Sequence, residues 1–359
     1  MSTPHPAPHT RWPRVVTVAV GVVAVVSVIV LAFLWPSVTA EPRGLPVAVV
    51  GEPGVLAQVG AGLDQQAPGA LELVPATDRD DAVGLVETRD AYGALVLGPE
   101  PEVLTAAAAS PAVAQLLTSL RPTLQTQVDV AATAQGVPPE AVPTVAVTDV
   151  VPLSSEDPRG STLAAASFPL VLGGAAGGIA IALAVVGVWR RVVAVGTYAA
   201  VGGLVIAGIL HGLGGLHGAY LTDALAVGLT LLGIAGTVVG AAAVLGRPGV
   251  VVGAAFFLLV ANPISASALP AELLLAPWGA VGQWLPPGAS ATLLRALSYF
   301  PAADTTFAWL VLTGWAALGL LLTAVGRLRE RGAATASALR EAAGDDVPTR
   351  GPVALSPRP

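Results

Sequence analysis

No lysine and no cysteine occur anywhere in the chain, and charged residues of any kind are scarce. Without lysine there is no Walker A loop, whose Lys reaches the β- and γ-phosphates, and no lysine Schiff base. Without cysteine, disulfides, thiolate metal sites and a thiol nucleophile are excluded. Charged residues make up only 11% of the sequence and hydrophobic ones 54%, with mean hydropathy +0.75. Soluble domains carry roughly 25% charged residues, so these are the proportions of a membrane protein. If ATP drives it, another chain hydrolyses the ATP. All 17 basic residues are arginine. With the high Ala, Gly, Val and Pro content, this suggests a GC-rich bacterial genome and a multi-pass protein of the bacterial plasma membrane.

Charge is absent altogether from six apolar stretches, 15–36, 163–188, 192–211, 224–246, 249–269 and 305–326. A span needs roughly twenty apolar residues. Arginine marks one set of ends: Arg11 and Arg14, Arg190 and Arg191, Arg247, then Arg327, Arg329 and Arg331. The positive-inside rule places all of these, and both termini, in the cytoplasm. The first stretch reads as a retained anchor. Small residues at 37–41 would permit signal cleavage, but a signal core is usually about 7–15 residues and this one is longer.

The expected fold is a polytopic α-helical membrane protein with six transmembrane helices and a small extracytoplasmic α/β domain between the first and second. In order, it comprises a cytoplasmic tail (1–14), a first span (15–36) and the α/β domain (37–160). A five-helix membrane domain (161–326) comes next, with an outer re-entrant-like hairpin at 270–303. A polar tail (327–359) reads as cytoplasmic and largely disordered.

The segment 37–160 holds 16 of the 23 acids but five of the 17 arginines, a net charge of −11. That charge repels anionic partners, so nucleic acid is not an expected ligand. Strand-like runs at LPVAVV, LELVPA, YGALVLG and PTVAVTDVVPL alternate with helical spacing, including a longer helical region at about 111–135. The pattern predicts a partly parallel sheet. Asp78, Asp80 and Asp81 look like cation ligands, but acids at a helix start are common and stabilising. The turn Gly51–Gly54 lacks the spacing of a phosphate loop. No catalytic, cofactor or metal constellation is predicted.

Ion-coupled transporters place ionisable residues within their spans, whereas Asp223 and Asp304 are expected only at the outer edges of the fourth and sixth. His211 and His217 suggest a metal pair, but no third ligand lies nearby in sequence. Gly173 and Gly177, Gly208 and Gly212, and Gly236 and Gly240 share the G-x-x-x-G spacing that lets helices approach closely.

The stretch LPAELLLAPWGAVGQWLPPGASATLLRALSYF (269–300) is apolar yet divided by Pro270, Pro277, Pro286 and Pro287, with Pro301 just beyond, so it is not one helix. Trp278, Trp284 and Tyr299 favour headgroup level. Two short helices dipping into or lying on the outer leaflet are predicted, with Arg295 directed to the interface. This stretch resembles the loop before the last span of ABC-2-type permeases, and the layout resembles the YhgE/Pip and DUF3533-like branch. The linker TDVVPLSSEDPRGS is similar to that branch as well. The resemblance implies an export permease subunit for a hydrophobic or amphipathic compound. It would work as a homo- or heterodimer in the bilayer with a separate nucleotide-binding subunit. It further implies an outer gate or cap at Pro277, Trp278, Gln283, Trp284, Pro286, Pro287 and Gly288; the alternative is a headgroup anchor. The cytoplasmic loops are very short for coupling to an ATPase. The second functional expectation is therefore a non-transporting scaffold or receptor whose outer domain binds an envelope or secretion component.

Overall fold

A computed structural model of the protein describes residues 10–345, with side chains described as far as Gly326. The terminal parts of both expected tails, 1–9 and 346–359, lie outside the described residues. Five helices are long and apolar enough to cross a bilayer: α1 (Trp12–Val38) and four more beyond a sheet domain, the last counted over Thr306–Gly326.

Between α1 and those four, five strands form one sheet. They are β1 (Leu45–Val50), β2 (Leu71–Pro75), β3 (Gly93–Val96), β4 (Glu102–Thr105) and β5 (Ala146–Asp149), in the spatial order β2-β1-β3-β4-β5. All neighbours pair in parallel except β3 and β4. The antiparallel β4 is not among the strands expected from the sequence.

The helices α2 (Pro53–Gln66), α3 (Arg79–Glu87), α4 (Pro111–Ser119) and α5 (Arg121–Ala134) cover the sheet. The single helical region expected at 111–135 is two helices, broken beside Leu120 with Pro122 in the first turn of the second. Alternation along the strands makes two cores. Val47, Val49, Leu95 and Val103 pack with Val113 and Leu117. Ala48, Ala94 and Leu104 pack with Ala82, Val86 and, from far along the chain, the fully buried Phe300.

The remaining long helices are α6 (Ser161–Ala184), α7 (Val188–Gly212), α8 (Tyr220–Leu245) and, once the shorter α9 (Arg247–Ala255), α10 (Trp278–Gln283) and α11 (Pro286–Tyr299) are passed, α12 (Thr306–Asp345). In α8, 67% of the apolar window is buried, against 33% or less in the other four, which makes α8 the central helix. It packs parallel to α12. A Cβ built on Gly319 would stand 2.5 Å from the carbonyl carbon of Gly236, and one on Gly240 2.6 Å from Leu322 Cβ. Gly177 receives the ring of Tyr198, whose hydroxyl donates to the Gly173 carbonyl (2.7 Å). A Cβ built on Gly208 would stand 3.7 Å from the Tyr220 hydroxyl, whereas one on Gly212 would meet nothing within 4 Å. α1 stands at the edge, touching the rest through Phe33 on Phe168 and Trp35 on Trp278.

Two expectations are corrected. The stretch 249–269 is not a full-length helix: α9 and a π-helical turn end at Ala261, because Pro263 and Pro270 prevent the helix from continuing. The tail after residue 326 is helical as far as Asp345. Its Ala-rich run from Gly332 to Ala343 has high helix propensity, and Pro348 is the first proline beyond it.

The linker resolves into a cap. Asp157 accepts from Thr162 N (2.8 Å) and Ser161 N (3.1 Å), which satisfies the first free N–H groups of α6. Burial raises its carboxyl pKa, but these bonds outweigh burial and leave it below the ordinary value. Asp157→Ala should cost about 1–2 kcal/mol at pH 7. Because the folded value is depressed, this contribution is complete above the unfolded carboxylate value and lost as pH falls through the folded one. Denaturant titrations of both proteins at pH 7 and pH 3 check this. Separately, Gly319→Val should destabilise by roughly 1–3 kcal/mol, and Gly212→Ala should stay within about 0.5 kcal/mol; thermal unfolding in detergent distinguishes them.

Candidate functional site

The fifth apolar stretch begins as a helix at the arginine-bearing end of the bundle. Gly253 there packs on Val238, whose Cα would stand 3.2 Å from a Cβ built on that glycine. At 1.5 Å per residue, Arg247–Ala261 covers about 22 Å and ends short of the far side. The chain continues as irregular backbone from 262 to 277, with one 3-10 turn at Ala271–Leu273. It reaches the sheet domain, where Tyr92 Oη donates to Glu272 (2.9 Å) and Glu41 N donates to the Leu273 carbonyl (3.1 Å).

There it reverses. α10 descends and α11 climbs back. Trp315 Nε1 donates to the Trp284 carbonyl (2.8 Å), and Pro286 Cγ lies 3.6 Å from a Cβ built on Gly233. Gly233 is midway along α8 and Trp315 midway along 306–326, so the hairpin tip stands at mid-height of the bundle. At its upper end α11 brings the Leu297 carbonyl against Gly218, and the adjoining Phe300 into the sheet domain's core.

Backbone lies directly on backbone here. A Cβ on Gly282 would collide with the Ile264 carbonyl, one on Gly279 with Ala271, and one on Gly288 with the Gly282 carbonyl. Side chains bond two carbonyls of the irregular segment, as buried backbone polar groups require, while the buried Asn262 Oδ1 has no partner. Gln283 Nε2 donates to the Ser265 carbonyl (3.3 Å) and its Oε1 accepts from Thr292 Oγ1 (2.7 Å). Arg295 donates to the Ser267 carbonyl (3.3 Å).

Two cavities flank this element. A cavity of about 480 Å³ lies between α6, α7 and α11, walled mainly by apolar side chains, with Thr230 and Ser290 hydroxyls 2.8 Å apart on its floor. A smaller one of about 330 Å³ lies where the sheet domain meets the bundle, lined by Arg89, Asp90, Tyr92, Glu272 and Asp304 among others. Arg295 lines both. Burial, then the neighbouring Glu272 carboxylate, pushes the Tyr92 phenol far above its usual range, so it stays protonated as the donor to Glu272. Arg89 crosses from the sheet domain to α11, donating to the Thr292 carbonyl (3.2 Å) with its guanidinium over the Phe300 ring (5.4 Å). It does so from φ +67°, a left-handed conformation uncommon outside glycine.

The residues expected at a gate therefore occupy different places. Gln283, Trp284, Pro286, Pro287 and Gly288 form the lower part of the hairpin, and Pro277 and Trp278 its upper limb beside α1. Arg295 borders both cavities. Asp223 stands at the end of the fourth span, as expected, in the first turn of α8. What the sequence reading misses is that it is fully buried there, 2.8 Å from His211 Nε2, with its Oδ1 unpartnered. The apolar window 224–246 begins one residue too late to include it, and an acid in a first helical turn reads as a dipole partner. His217 packs against Tyr299 (5.3 Å). In the sheet domain Asp78 accepts from Asp81 N, and Asp81 from Thr77, so this acidic cluster caps α3.

Comparison with known proteins finds no match: no family model fits the chain, and no curated protein or solved structure is detectably similar.

Gln283→Leu leaves the Ser265 carbonyl and the Thr292 hydroxyl without this partner, which should cost about 1–3 kcal/mol. Gln283→Glu keeps an acceptor for Thr292 but sets a carboxylate against the Ser265 carbonyl in place of a donor, and should cost at least as much. Thermal unfolding of the two variants beside the wild type checks the order.

Proposed function

We propose that the chain is the membrane-embedded permease subunit of an exporter, similar in organisation to ABC-2-type permeases, that moves a hydrophobic or amphipathic compound outward. The observation that carries this reading is the broken crossing at 247–277 paired with a re-entrant hairpin whose tip reaches mid-height. Non-helical backbone at such depth is tolerated where it is buried in protein or lines a cavity. Transporters place binding sites near the midplane at interrupted helices of this kind. In this reading the hairpin is the outer gate and the 480 Å³ cavity beside it is the binding space. That volume lies within the roughly 300–1,000 Å³ of small-molecule sites.

The arginine-bearing end faces the cytoplasm and the sheet domain lies outside, in keeping with the positive-inside rule. Energy comes from a separate nucleotide-binding subunit, since this chain has no lysine for a Walker A loop. The helical continuation of α12 supports this partnership. From Gly326 to Asp345 it extends about 28 Å past the apolar stretch, offering a cytoplasmic contact that the short loops lack. A second copy, or a related chain, completes the transporter.

One feature favours a receptor as the second reading. A cleft of about 760 Å³, walled by Leu63, Leu71, Leu73, Leu116 and Leu120, opens on the sheet domain. It would suit an apolar segment of an envelope component. Purification in mild detergent and mass spectrometry of the retained proteins separate the two readings. A stoichiometric nucleotide-binding protein, released when α12 is truncated after Arg331, is the expected result. Its reproducible absence, with an envelope protein retained through the sheet domain, would overturn the permease reading.

A further inference from the structure

We infer that the cavity between α6, α7 and α11 binds the anionic head of an amphiphile, with Arg295 as its counter-ion. The inference rests on the permease reading for the use to which such binding is put. Its physical basis is separate.

Arg295 carries a permanent charge and five N–H donors. One hydrogen bond engages it, to the Ser267 carbonyl. Among the described residues no carboxylate comes within ion-pair distance of it. Arg295 is half-buried. A charge partly withdrawn from water without a counter-ion is costly, and such a residue bordering a cavity in a membrane bundle marks a ligand site. The guanidinium fork matches a carboxylate or phosphate in both geometry and charge.

The two cavities that Arg295 borders are chemically unequal. The one at the sheet domain contains Asp90, Glu272 and Asp304 as well as Arg89, so its carboxylates oppose an anion. In the membrane-side cavity Arg295 is the only charged lining residue. The anion belongs there. The other walls are apolar apart from a few hydroxyls, and the rim includes Ile209 and Leu213, which are exposed on the outside of the bundle. A head at Arg295 therefore leaves a tail running along α7 toward the lipid. This selects an anionic amphiphile, a carboxylate or phosphate on an apolar chain, over a free phosphate ion. It also disfavours cationic and zwitterionic compounds, whose ammonium group would meet Arg295.

The test is ligand-dependent thermal stabilisation and native mass spectrometry of the full chain in a non-ionic detergent. Dodecyl phosphate, dodecyltrimethylammonium and inorganic phosphate are the probes. The wild type should bind dodecyl phosphate, and neither of the other two at equal concentration. Arg295→Gln should weaken that binding by roughly 10–100-fold, the loss of a charge-assisted contact, and Arg295→Lys by less. Ala291→Phe, which fills the cavity and leaves Arg295 in place, should also abolish it. That variant carries the test if Arg295→Gln does not fold. Equal binding of dodecyl phosphate to wild type and to either Arg295→Gln or Ala291→Phe overturns the inference, as does binding of the cationic probe. Inorganic phosphate binding as well as dodecyl phosphate would overturn the amphiphile assignment in favour of a free anion. Arg295-dependent binding without ATP-driven transport, in proteoliposomes that also hold the co-purified nucleotide-binding subunit, would sustain the site and sink the permease reading. Transport unaffected by Arg295→Gln would do the reverse.

Discussion

The hairpin depends on one constraint, the contact of peptide backbone with peptide backbone at Gly279, Gly282 and Gly288. No side chain fits between α10, α11 and the irregular segment that begins at Asn262. Any Cβ at these positions would push the descending limb off the carbonyls of Ile264 and Ala271. The Gln283 and Arg295 side chains hold two carbonyls of the same segment. Close approach and polar contact act on one piece of backbone. Together they let a chain rich in proline sit deep in an apolar bundle, where unpaired backbone groups would each cost several kcal/mol.

The same element fastens the two halves of the molecule. α11 rises from the bundle's mid-height to deliver Phe300 into the sheet domain's core, while Arg89 reaches down to its Thr292 carbonyl. The left-handed conformation at Arg89 is a backbone cost borne at this junction. A displacement of the hairpin would be felt by the sheet domain directly, and a ligand on the sheet domain would bear on the hairpin. Beneath it, α8 and α12 form a closely packed pair at Gly236, Gly240 and Gly319, a rigid wall against which a half-helix can rest.

Much of this architecture is legible in the sequence because hydrophobicity and arginine placement act over long stretches. Five of the six expected spans are long apolar helices, and the sheet domain falls between the first two. The division of 269–300 into short helices comes from its prolines. Features set by only a few residues escape such a reading. A mean over 249–269 conceals that Pro263 ends a helix. β4 pairs between β3 and β5, a placement that its own residues do not announce. Asp223 and Arg295 look peripheral in sequence. Tertiary placement brings one beside His211 and the other between two cavities, and no local pattern encodes either arrangement. Of the glycine pairs, Gly236 and Gly240 meet α12 and Gly173 and Gly177 meet Tyr198, while Gly212 meets nothing. Spacing alone does not tell these cases apart.

The absence of cysteine makes the central claim directly measurable, since spin labels can be placed without removing native thiols. Labels at Trp284 and Leu221 would report the distance from the hairpin tip to one end of α8, and labels at Trp284 and Leu245 the distance to the other. Gly233, beside the tip, is twelve residues from each end position, about 18 Å along the axis. Pulsed electron–electron distance measurements in nanodiscs should therefore give two similar separations. A short distance to residue 221 with a separation from residue 245 of about 30 Å or more would place the hairpin at the surface of the bundle and contradict the account.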